Sequence, residues 1–441
     1  MILHRIKDNS KQKKTDFVNI GNLTAEVADK TLQQLEYEGV FVFPEVLNKA
    51  EDISDDEMIL SSINDEYQSG NVMGFIGQGD ERLAIESRFS SGDEDYFFRY
   101  LLCRVLDIPN IVNLKVGADI DNSMFSLLHF LFPHYLRTAM RKGLFKQYVR
   151  REYNDMNPKG SIDVAQHIKL NTPFTGNIAY VQREFSYDNS LMELVRHTIE
   201  FIKAKPYGKN ILANIKDEVS LVISATSGYR PFDRQKVIDE NRKNLIHHAY
   251  YREYLALQRL CLLILRYQKH QINSGSRQIY GILFDGAWLW EEYINLLIGD
   301  MFYHPMNKKG DGRQYLFKSE SGNVGLIYPD FISKSDAPRI IADAKYKPID
   351  NIAGRDYLQV LAYMCRFEAG TGYYLYPETG NATKTRLWLN RGVSFNGKVE
   401  AREDISVIKL GLKIPHDAAE YAAFAVDMEK NENEFTKLIC G

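Results

Sequence analysis

Hydrophobic residues along this chain recur with two different spacings, and the spacing changes from one region to the next. Short apolar runs at 39–46, 71–77 and 82–89 are typical of β-strands, and the turn sequence QGDE between the last two predicts a hairpin. The mostly apolar segment 95–106 predicts a buried helix. Residues 1 to 115 are therefore predicted to form a β-rich N-terminal domain.

The region from 116 to 275 has mainly the helical spacing. Apolar residues at intervals of three and four predict long helices at 123–153, 189–204 and 251–267. Between the first two, the segments 160–171 and 177–185 predict a pair of strands. The pattern indicates a mainly helical connecting domain that carries a small sheet.

From 276 to 441 helices and strands alternate. Helices are predicted at 286–302 and 355–367, and strands at 325–333, 339–347, 372–378 and 385–390. This order predicts an α/β domain with a mixed sheet flanked by helices. Because 441 residues exceed what one hydrophobic core holds, the predicted fold class is α+β multidomain, with boundaries near 115 and 275.

Composition and charge exclude several classes of protein. The net charge of −3 provides no general positive field for nucleic acid, so any DNA contact requires local patches. The chain has no C-x-x-C pair for zinc and no G-x-x-x-x-G-K-S/T loop for a nucleotide-driven motor. Neither a signal peptide pattern nor a membrane-length apolar stretch is present, which predicts a cytoplasmic protein without a membrane partner.

The strand predicted at 339–347 contains a candidate catalytic group. Strand alternation places Asp343 and Lys345 on the same face, and a hairpin would bring Asp330 of the preceding strand beside Asp343. Two adjacent carboxylates suit Mg²⁺, or Mn²⁺, because these cations prefer oxygen ligands. The Lys345 ammonium would then lie beside the attacking water, where it would orient that water or stabilise the negative charge of the phosphorane.

An Asp-x-Lys tripeptide alone is a weak signal, since composition produces it about once or twice in a chain this long. Taken alone, it fits a solvated strand edge with a surface ion pair better than a catalytic site. The predicted helix at 355–367 adds Gln359 and Tyr363, four residues apart on one face. The order Pro-Asp, Asp-x-Lys and Gln-x-x-x-Tyr resembles the RecB-like branch of the PD-(D/E)xK nuclease superfamily. The resemblance implies that Asp330 and Asp343 bind metal and that Gln359 and Tyr363 support the site.

A helix preceding the strands often supplies a third acidic ligand in that superfamily. Glu291 lies on the same helical face as Ala287 and Ile294, where a charge is costly unless a cation or hydrogen bond compensates it. We therefore favour Glu291 over Glu292. The alternative, that both glutamates lie at the edge of an apolar stripe, stays open.

Over most of its length, the order of segments resembles the McrC family, the nuclease partner of McrB-type AAA+ GTPases in modification-dependent restriction. The segments are GLFKQYVRREYN, GSIDVAQHIKLN, YREYLALQRLCLLIL and LWEEYINLL, followed by the motifs above. The resemblance implies a Mg²⁺-dependent DNA endonuclease subunit whose N-terminal part docks on a hexameric AAA+ ring and stimulates it. Where family members often show Gly-Arg-Ile, this chain has Gly160-Ser161-Ile162, so that arginine's role does not carry over.

Two other functions remain open from the sequence: a self-sufficient restriction or repair nuclease, and a non-catalytic adaptor of an AAA+ ring.

Three further segments are candidate sites. The segment from 137 to 151 has no acidic residue, so it could bind phosphates along a nucleic acid or form a solvated helix face. The glycines of GFIGQGD favour a hairpin turn over a dinucleotide site, and adjacent His247 and His248 favour a structural role. The basic residues of the segment from 137 to 151 are Arg137, Arg141, Lys142, Lys146, Arg150 and Arg151.

Overall fold

The computed structural model describes residues 2–38, 40–43, 57–92, 94–106, 120–272, 279–305, 313–335, 338–380, 384–393, 399–416 and 418–440. The chain is α+β and divides into two compact units. Unit 1 joins Met1–Val112 to Ser274–Gly441, and unit 2 is Asn113–Asn273. Contacts thus group the two terminal regions together, whereas the sequence pattern predicts three consecutive domains. In the described part of the chain, no helix combines the length and apolarity needed to cross a bilayer.

The N-terminal part of unit 1 is built on short strands, as predicted. The hairpin through QGDE is confirmed, because Gln78 and Glu81 are register partners, and the helix predicted at 95–106 is confirmed at 96–105. Asp95 caps that helix by accepting a hydrogen bond from the amide of Phe98 at 2.9 Å. The strands are β1 (Ile2–Lys7), β2 (Lys11–Lys13), β3 (Val40–Phe43), β4 (Leu60–Ile63), β5 (Glu66–Ser69), β6 (Val72–Gln78) and β7 (Glu81–Glu86), and the helices are α1 (Gly21–Val27), α2 (Leu32–Glu38) and α3 (Tyr96–Val105).

Unit 2 is mainly helical with a three-stranded sheet. Its sheet has the order β8-β10-β9, and α4, α6 and α10 pack together beside shorter helices. Its elements are α4 (Ile120–Met140), β8 (Gln147–Asp155), β9 (Ser161–Ile162), α5 (Val164–Leu170), β10 (Ile178–Ser186), α6 (Ser190–Lys203), α7 (Gly208–Ala213), α8 (Lys216–Ala225), α9 (Arg234–Lys243) and α10 (Glu253–Ile272).

Two predictions for unit 2 were wrong. The helix predicted at 123–153 ends at Met140, and residues 147–155 form β8, whose alternating exposure and full pairing with β10 outweigh helical spacing. The strand predicted at 160–171 is mostly helix α5, whose first turn is capped by the Asp163 carboxylate at 3.0 Å from the Gln166 amide nitrogen. The apolar pattern alone fits either a strand or a helix, and the helix cap at Asp163 favours the helix.

Unit 2 contains a buried histidine that makes the stability of the folded protein sensitive to acid. His129 is 7% exposed and hydrogen-bonds the Tyr207 hydroxyl at 2.8 Å, and burial lowers the pKa of His129 to about 3. The unfolded chain binds this proton near pH 6.5. The contribution of His129 to stability is therefore present above about pH 6.5 and is lost as the pH falls towards 3. We expect His129→Gln to reduce the drop in melting temperature between pH 7 and pH 5; an unchanged drop would contradict this assignment.

The C-terminal part of unit 1 holds the sequence motifs. The helix predicted at 355–367 is confirmed at those residues, and the strand predicted at 372–378 is confirmed as 371–378. Its strands are β11 (Tyr280–Asp285), β12 (Phe302–Tyr303), β13 (Gln314–Ser319), β14 (Gly322–Ile327), β15 (Phe331–Ser333), β16 (Ile340–Ala344), β17 (Thr371–Glu378), β18 (Lys384–Arg391) and β19 (Glu400–Lys413), and its helices are α11 (Gly286–Ile298), α12 (Arg355–Phe367) and α13 (Tyr421–Cys440).

A six-stranded mixed sheet carries the motifs, with the order β12-β15-β16-β17-β19-β18. β15 and β16 are antiparallel, as predicted, while β16, β17 and β19 are parallel. The chain passes from β16 through α12 to β17, which is a βαβ unit. The last two predicted strands, β17 and β18, are not neighbours, because β19 lies between them.

A five-stranded sheet joins the two terminal regions, with the order β1-β7-β6-β11-β3. All six residues of β11 are buried between β6 and β3. The chain continues directly into α11, where the Trp290 indole N–H donates to the Leu375 carbonyl of β17 at 3.0 Å. α11 therefore links the five-stranded sheet to the sheet that carries the motifs.

Candidate active site

A cleft of about 850 Å³ in unit 1 is lined by most of the residues singled out by sequence. Glu291, Asp330, Lys345, Gln359 and Tyr363 all line it. They come from α11, from the connection between β14 and β15, from the end of β16, and from α12. Residues separated by as many as 72 positions in sequence thus meet at one surface.

Asp343 and Lys345 form the closest charged pair of the site. Asp343 is completely buried, and its Oδ2 atom lies 2.7 Å from Nζ of Lys345, whose side chain is 17% exposed. β16 ends at Ala344, but the Lys345 amide continues the ladder by donating to the Leu375 carbonyl at 2.9 Å. Burial acts to lower the pKa of Lys345, yet the Asp343 and Asp330 carboxylates outweigh it and raise that pKa. Lys345 is therefore held as a cation.

Asp330 lies one residue before β15, within the same cleft. Its Oδ2 accepts a hydrogen bond from the Ala344 amide at 2.9 Å, which fixes the carboxylate beside the Asp343–Lys345 segment. Burial, followed by the negative charges of Asp343 and Glu291, raises the pKa of Asp330 well above its usual range. Accumulated negative charge of this kind is relieved when a cation binds.

Gln359 and Tyr363 connect α12 to both acidic segments. Lys345 Nζ donates to Oε1 of Gln359 at 3.2 Å, and Nε2 of Gln359 donates to the Tyr363 hydroxyl at 2.8 Å. The Tyr363 hydroxyl donates in turn to the Tyr328 carbonyl at 3.1 Å, two residues before Asp330. Burial raises the pKa of Tyr363 to about 12, so the hydroxyl keeps its proton. The helix thereby fixes the direction of the lysine ammonium.

Glu291 and Glu292 differ in position, as the helical-face argument requires. Glu291 lines the cleft with a side chain 14% exposed, whereas the Glu292 side chain is 31% exposed. Both carboxylates approach Nε2 of His304, at 3.7 Å and 3.9 Å respectively. The assignment of Glu291 as a third metal ligand remains a prediction.

Two residues near the site escaped the sequence reasoning. His304 donates from Nδ1 to the Asp330 carbonyl at 2.9 Å and stacks on Phe331. Burial acts to lower the pKa of His304, but Glu292 and the Asp330 carbonyl outweigh it and raise that pKa. Asp356 lies 2.6 Å from Nζ of Lys347 and 3.9 Å from Nζ of Lys345. Neither residue belongs to a motif, so only the fold reveals them.

The carboxylate oxygens at the cleft provide some, but not all, of the ligands that a hard cation such as Mg²⁺ requires. In the described residues, no three His, Cys, Asp or Glu side chains are arranged as a ready-made metal-binding group. Mg²⁺, however, is commonly held by one or two carboxylates together with water and substrate phosphate. Asp330 lies at the cleft surface, and desolvation and the neighbouring Asp343 and Glu291 carboxylates raise its pKa, which fits that type of binding.

The other sequence candidates lie elsewhere. The basic segment 137–151 is not one helix face, because it spans the end of α4 and the start of β8, and Arg151 pairs with Asp188 at 3.2 Å. His247 and His248 precede α10 rather than starting it, and both are exposed. In GFIGQGD, residues 74–78 belong to β6 and the next two residues form the hairpin turn to β7, so the hairpin is as predicted.

Comparison with known proteins decides the family. Residues 67–377 match the family model described as McrBC 5-methylcytosine restriction system component, which is more than half of the chain. The chain belongs to this family. The assignment agrees with the McrC resemblance of the sequence motifs, which lie within the matched range. No curated protein matches the chain.

Two solved structures from Thermococcus gammatolerans are similar to the chain. One is a half-complex from a tetradecameric assembly of McrB AAA+ hexamers with bound McrC, with a TM-score of 0.48, 13% identity, and coverage of 97% of this chain and 100% of that chain. The other is a McrBC complex, with a TM-score of 0.32, 14% identity, and coverage of 68% and 87% respectively. Likeness at this level supports no argument about function.

Proposed function

We propose that this chain is the Mg²⁺-dependent DNA endonuclease subunit of a McrBC-type restriction system, with a PD-(D/E)xK active site. The observation that carries the proposal is the pairing of buried Asp343 with Lys345 at 2.7 Å, next to Asp330, where Asp330 and Lys345 line one cleft. A surface ion pair at a strand edge would be solvated, whereas Asp343 is fully buried. The arrangement therefore favours chemistry over a solvated strand edge.

In this proposal, Asp330 and Asp343 hold Mg²⁺, and Glu291 is placed to supply a third carboxylate. The bound cation would lower the pKa of a coordinated water and neutralise charge on the phosphate oxygens. Lys345 contacts Asp343 and is oriented by Gln359. In this proposal its ammonium stabilises the negative charge that develops on the phosphate. Tyr363 holds Gln359 in turn.

The partner in this proposal is a McrB-type AAA+ NTPase. The chain belongs to the McrBC family and has no phosphate-loop motif of its own, so the motor must be a separate subunit. The McrC resemblance of the sequence implies docking on a McrB-type ring, and the family match supports it. In this proposal the chain docks on a hexameric ring and stimulates its NTP hydrolysis.

The test compares three mixtures of full-length chain, Mg²⁺ and DNA containing 5-methylcytosine: alone, with a McrB-type NTPase, and with that NTPase plus GTP. Cleavage only in the third mixture, lost on chelation of Mg²⁺, would support the proposal. Efficient cleavage by the chain alone would instead favour a self-sufficient nuclease. Stimulated GTP hydrolysis without DNA cleavage in any mixture would favour a non-catalytic adaptor.

A further inference from the structure

Three polar residues of the N-terminal region line the same cleft as the acidic motifs: Asn9, Asn71 and Arg88. Each lies near a strand end of the five-stranded sheet, after β1, before β6 and after β7 respectively. Asn9 has a φ of 47°, a backbone conformation that asparagine tolerates better than most residues. The N-terminal sheet therefore brings hydrogen-bonding side chains to a cleft whose acidic residues come from the C-terminal region.

The Arg88 guanidinium is held in a fixed orientation. Its Nε and Nη2 atoms donate to Oδ2 of Asp8 at 2.9 Å and 2.5 Å, and Asp8 is completely buried. Nη2 also donates to the Asn71 side-chain carbonyl, and the Tyr346 ring centroid lies 5.0 Å from the guanidinium carbon. No described residue accepts a hydrogen bond from Nη1, so one edge of the guanidinium keeps its donors.

Arg88 is also coupled to the catalytic segment. Tyr346 directly follows Lys345, and its hydroxyl hydrogen-bonds the Ser87 hydroxyl at 2.7 Å, next to Arg88 in the chain. Arg88 thus packs on a buried tyrosine that directly follows Lys345 in the chain, and Arg88 and Lys345 both line the cleft. A rigid donor at a fixed offset from the reacting centre is suited to an adjacent phosphate of the same substrate.

We infer that Arg88 binds a DNA backbone phosphate in this cleft through Nη1, as a positioning contact beside the phosphate that is hydrolysed. The inference rests on the proposed function, and it assigns a substrate-binding role to a region outside the nuclease motifs. Because Asp8 balances the charge of Arg88, the contribution comes from directed hydrogen bonds rather than from net charge. Such a contact is made equally in the ground state and the transition state, so it affects KM more than kcat.

A neighbouring ion pair provides a matched comparison. Arg5 of β1 pairs with Glu86 of β7 at 3.1 Å, so it joins the same two strands, yet neither residue lines the cleft. Holding β1 to β7 is therefore a role that Arg5 can fill without facing the substrate. Loss of DNA affinity on changing Arg88 but not Arg5 would separate substrate binding from strand cohesion.

The test measures binding of a short duplex DNA by fluorescence anisotropy in the full-length chain carrying Asp343→Asn, which prevents cleavage. The double variant Asp8→Asn, Arg88→Gln removes the charged pair without leaving Asp8 ionised and unpaired. We expect Kd to rise about 10-fold or more, as for loss of a hydrogen bond to a charged group, with little change for Arg5→Gln. In the cleavage-competent chain with its NTPase and GTP, KM should rise while kcat stays nearly constant.

If the double variant fails to fold, Arg88→Lys gives the same measurement, because a lysine can pair with Asp8 but has no second arm for phosphate. Equal DNA affinity in the unsubstituted chain and in a folded Arg88 variant would overturn this inference alone. Absence of DNA binding by the unsubstituted chain, with and without the NTPase, would overturn the proposed function as well.

Discussion

Replacing Lys345 by methionine is expected to lower the rate of DNA hydrolysis by about 10²- to 10³-fold, the usual effect of removing one preorganised group that stabilises transition-state charge. The side chain keeps its length and loses its ammonium, which lies 2.7 Å from Asp343 and 3.2 Å from Gln359. DNA affinity should change much less, because the charge acts mainly in the transition state. Single-turnover cleavage with the NTPase and GTP measures the effect.

The single substitution leaves Asp343 buried without its cationic partner, which costs stability and could mimic a catalytic defect. The double variant Asp343→Asn, Lys345→Met removes both charges and should melt close to the unsubstituted chain while remaining inactive. Lys347→Met is the matched control, since Lys347 lines the same cleft but pairs with Asp356 instead. A Lys345→Met chain that cleaves DNA at the normal rate would refute the proposed mechanism.

The local pattern of apolar and polar residues was sufficient to predict the helix and strands that carry the candidate site. Helix α12 has the predicted bounds, because its apolar stripe alternates with polar residues at helical spacing. The antiparallel pairing of β15 and β16 follows from the short turn between two apolar segments. The convergence of Asp330, Asp343 and Lys345 could therefore be predicted from alternation along one strand and the adjacent hairpin.

Other elements could not be separated by pattern alone. β11 is buried along its whole length and runs without a break into the apolar helix α11, so periodicity does not mark the boundary. β19 begins with a mostly exposed, charged half and only its second half is buried, so it does not resemble a central strand. The types of β8 and α5 were predicted wrongly from the spacing of apolar residues. Pairing with β10 makes β8 a strand, and the cap at Asp163 favours a helix for α5.

The site itself depends on contacts between distant parts of the sequence. His304, Asp356 and Arg88 are isolated residues in the sequence, and only the packing of β15, α12 and the N-terminal sheet places them beside the motifs. No spacing rule relates position 88 to position 345. Tertiary placement, rather than local pattern, thus supplies the surroundings of the three motif residues.

The shared five-stranded sheet leads to the second large prediction: a fragment of residues 276–441 should not fold by itself. The fragment keeps every motif residue but loses β3 and β6, between which β11 is buried. It also loses the contacts of Phe97 with Trp290 and of Ser87 with Tyr346. Exposing each large buried side chain costs roughly 1.5–3 kcal/mol, and several together reach the ~5–15 kcal/mol by which a typical domain is stable.

A shortened chain that joins residues 1–112 to 274–441 through a glycine-serine linker is the matched comparison, because it retains all of unit 1 and removes unit 2. We expect cooperative thermal unfolding for this joined chain and none for the 276–441 fragment, followed by circular dichroism. If the joined chain keeps Mg²⁺-dependent DNA binding but no longer stimulates the NTPase, the two units divide substrate and partner contacts between them. Cooperative melting of the 276–441 fragment would show that the C-terminal region folds without the N-terminal strands, contrary to the argument from β11.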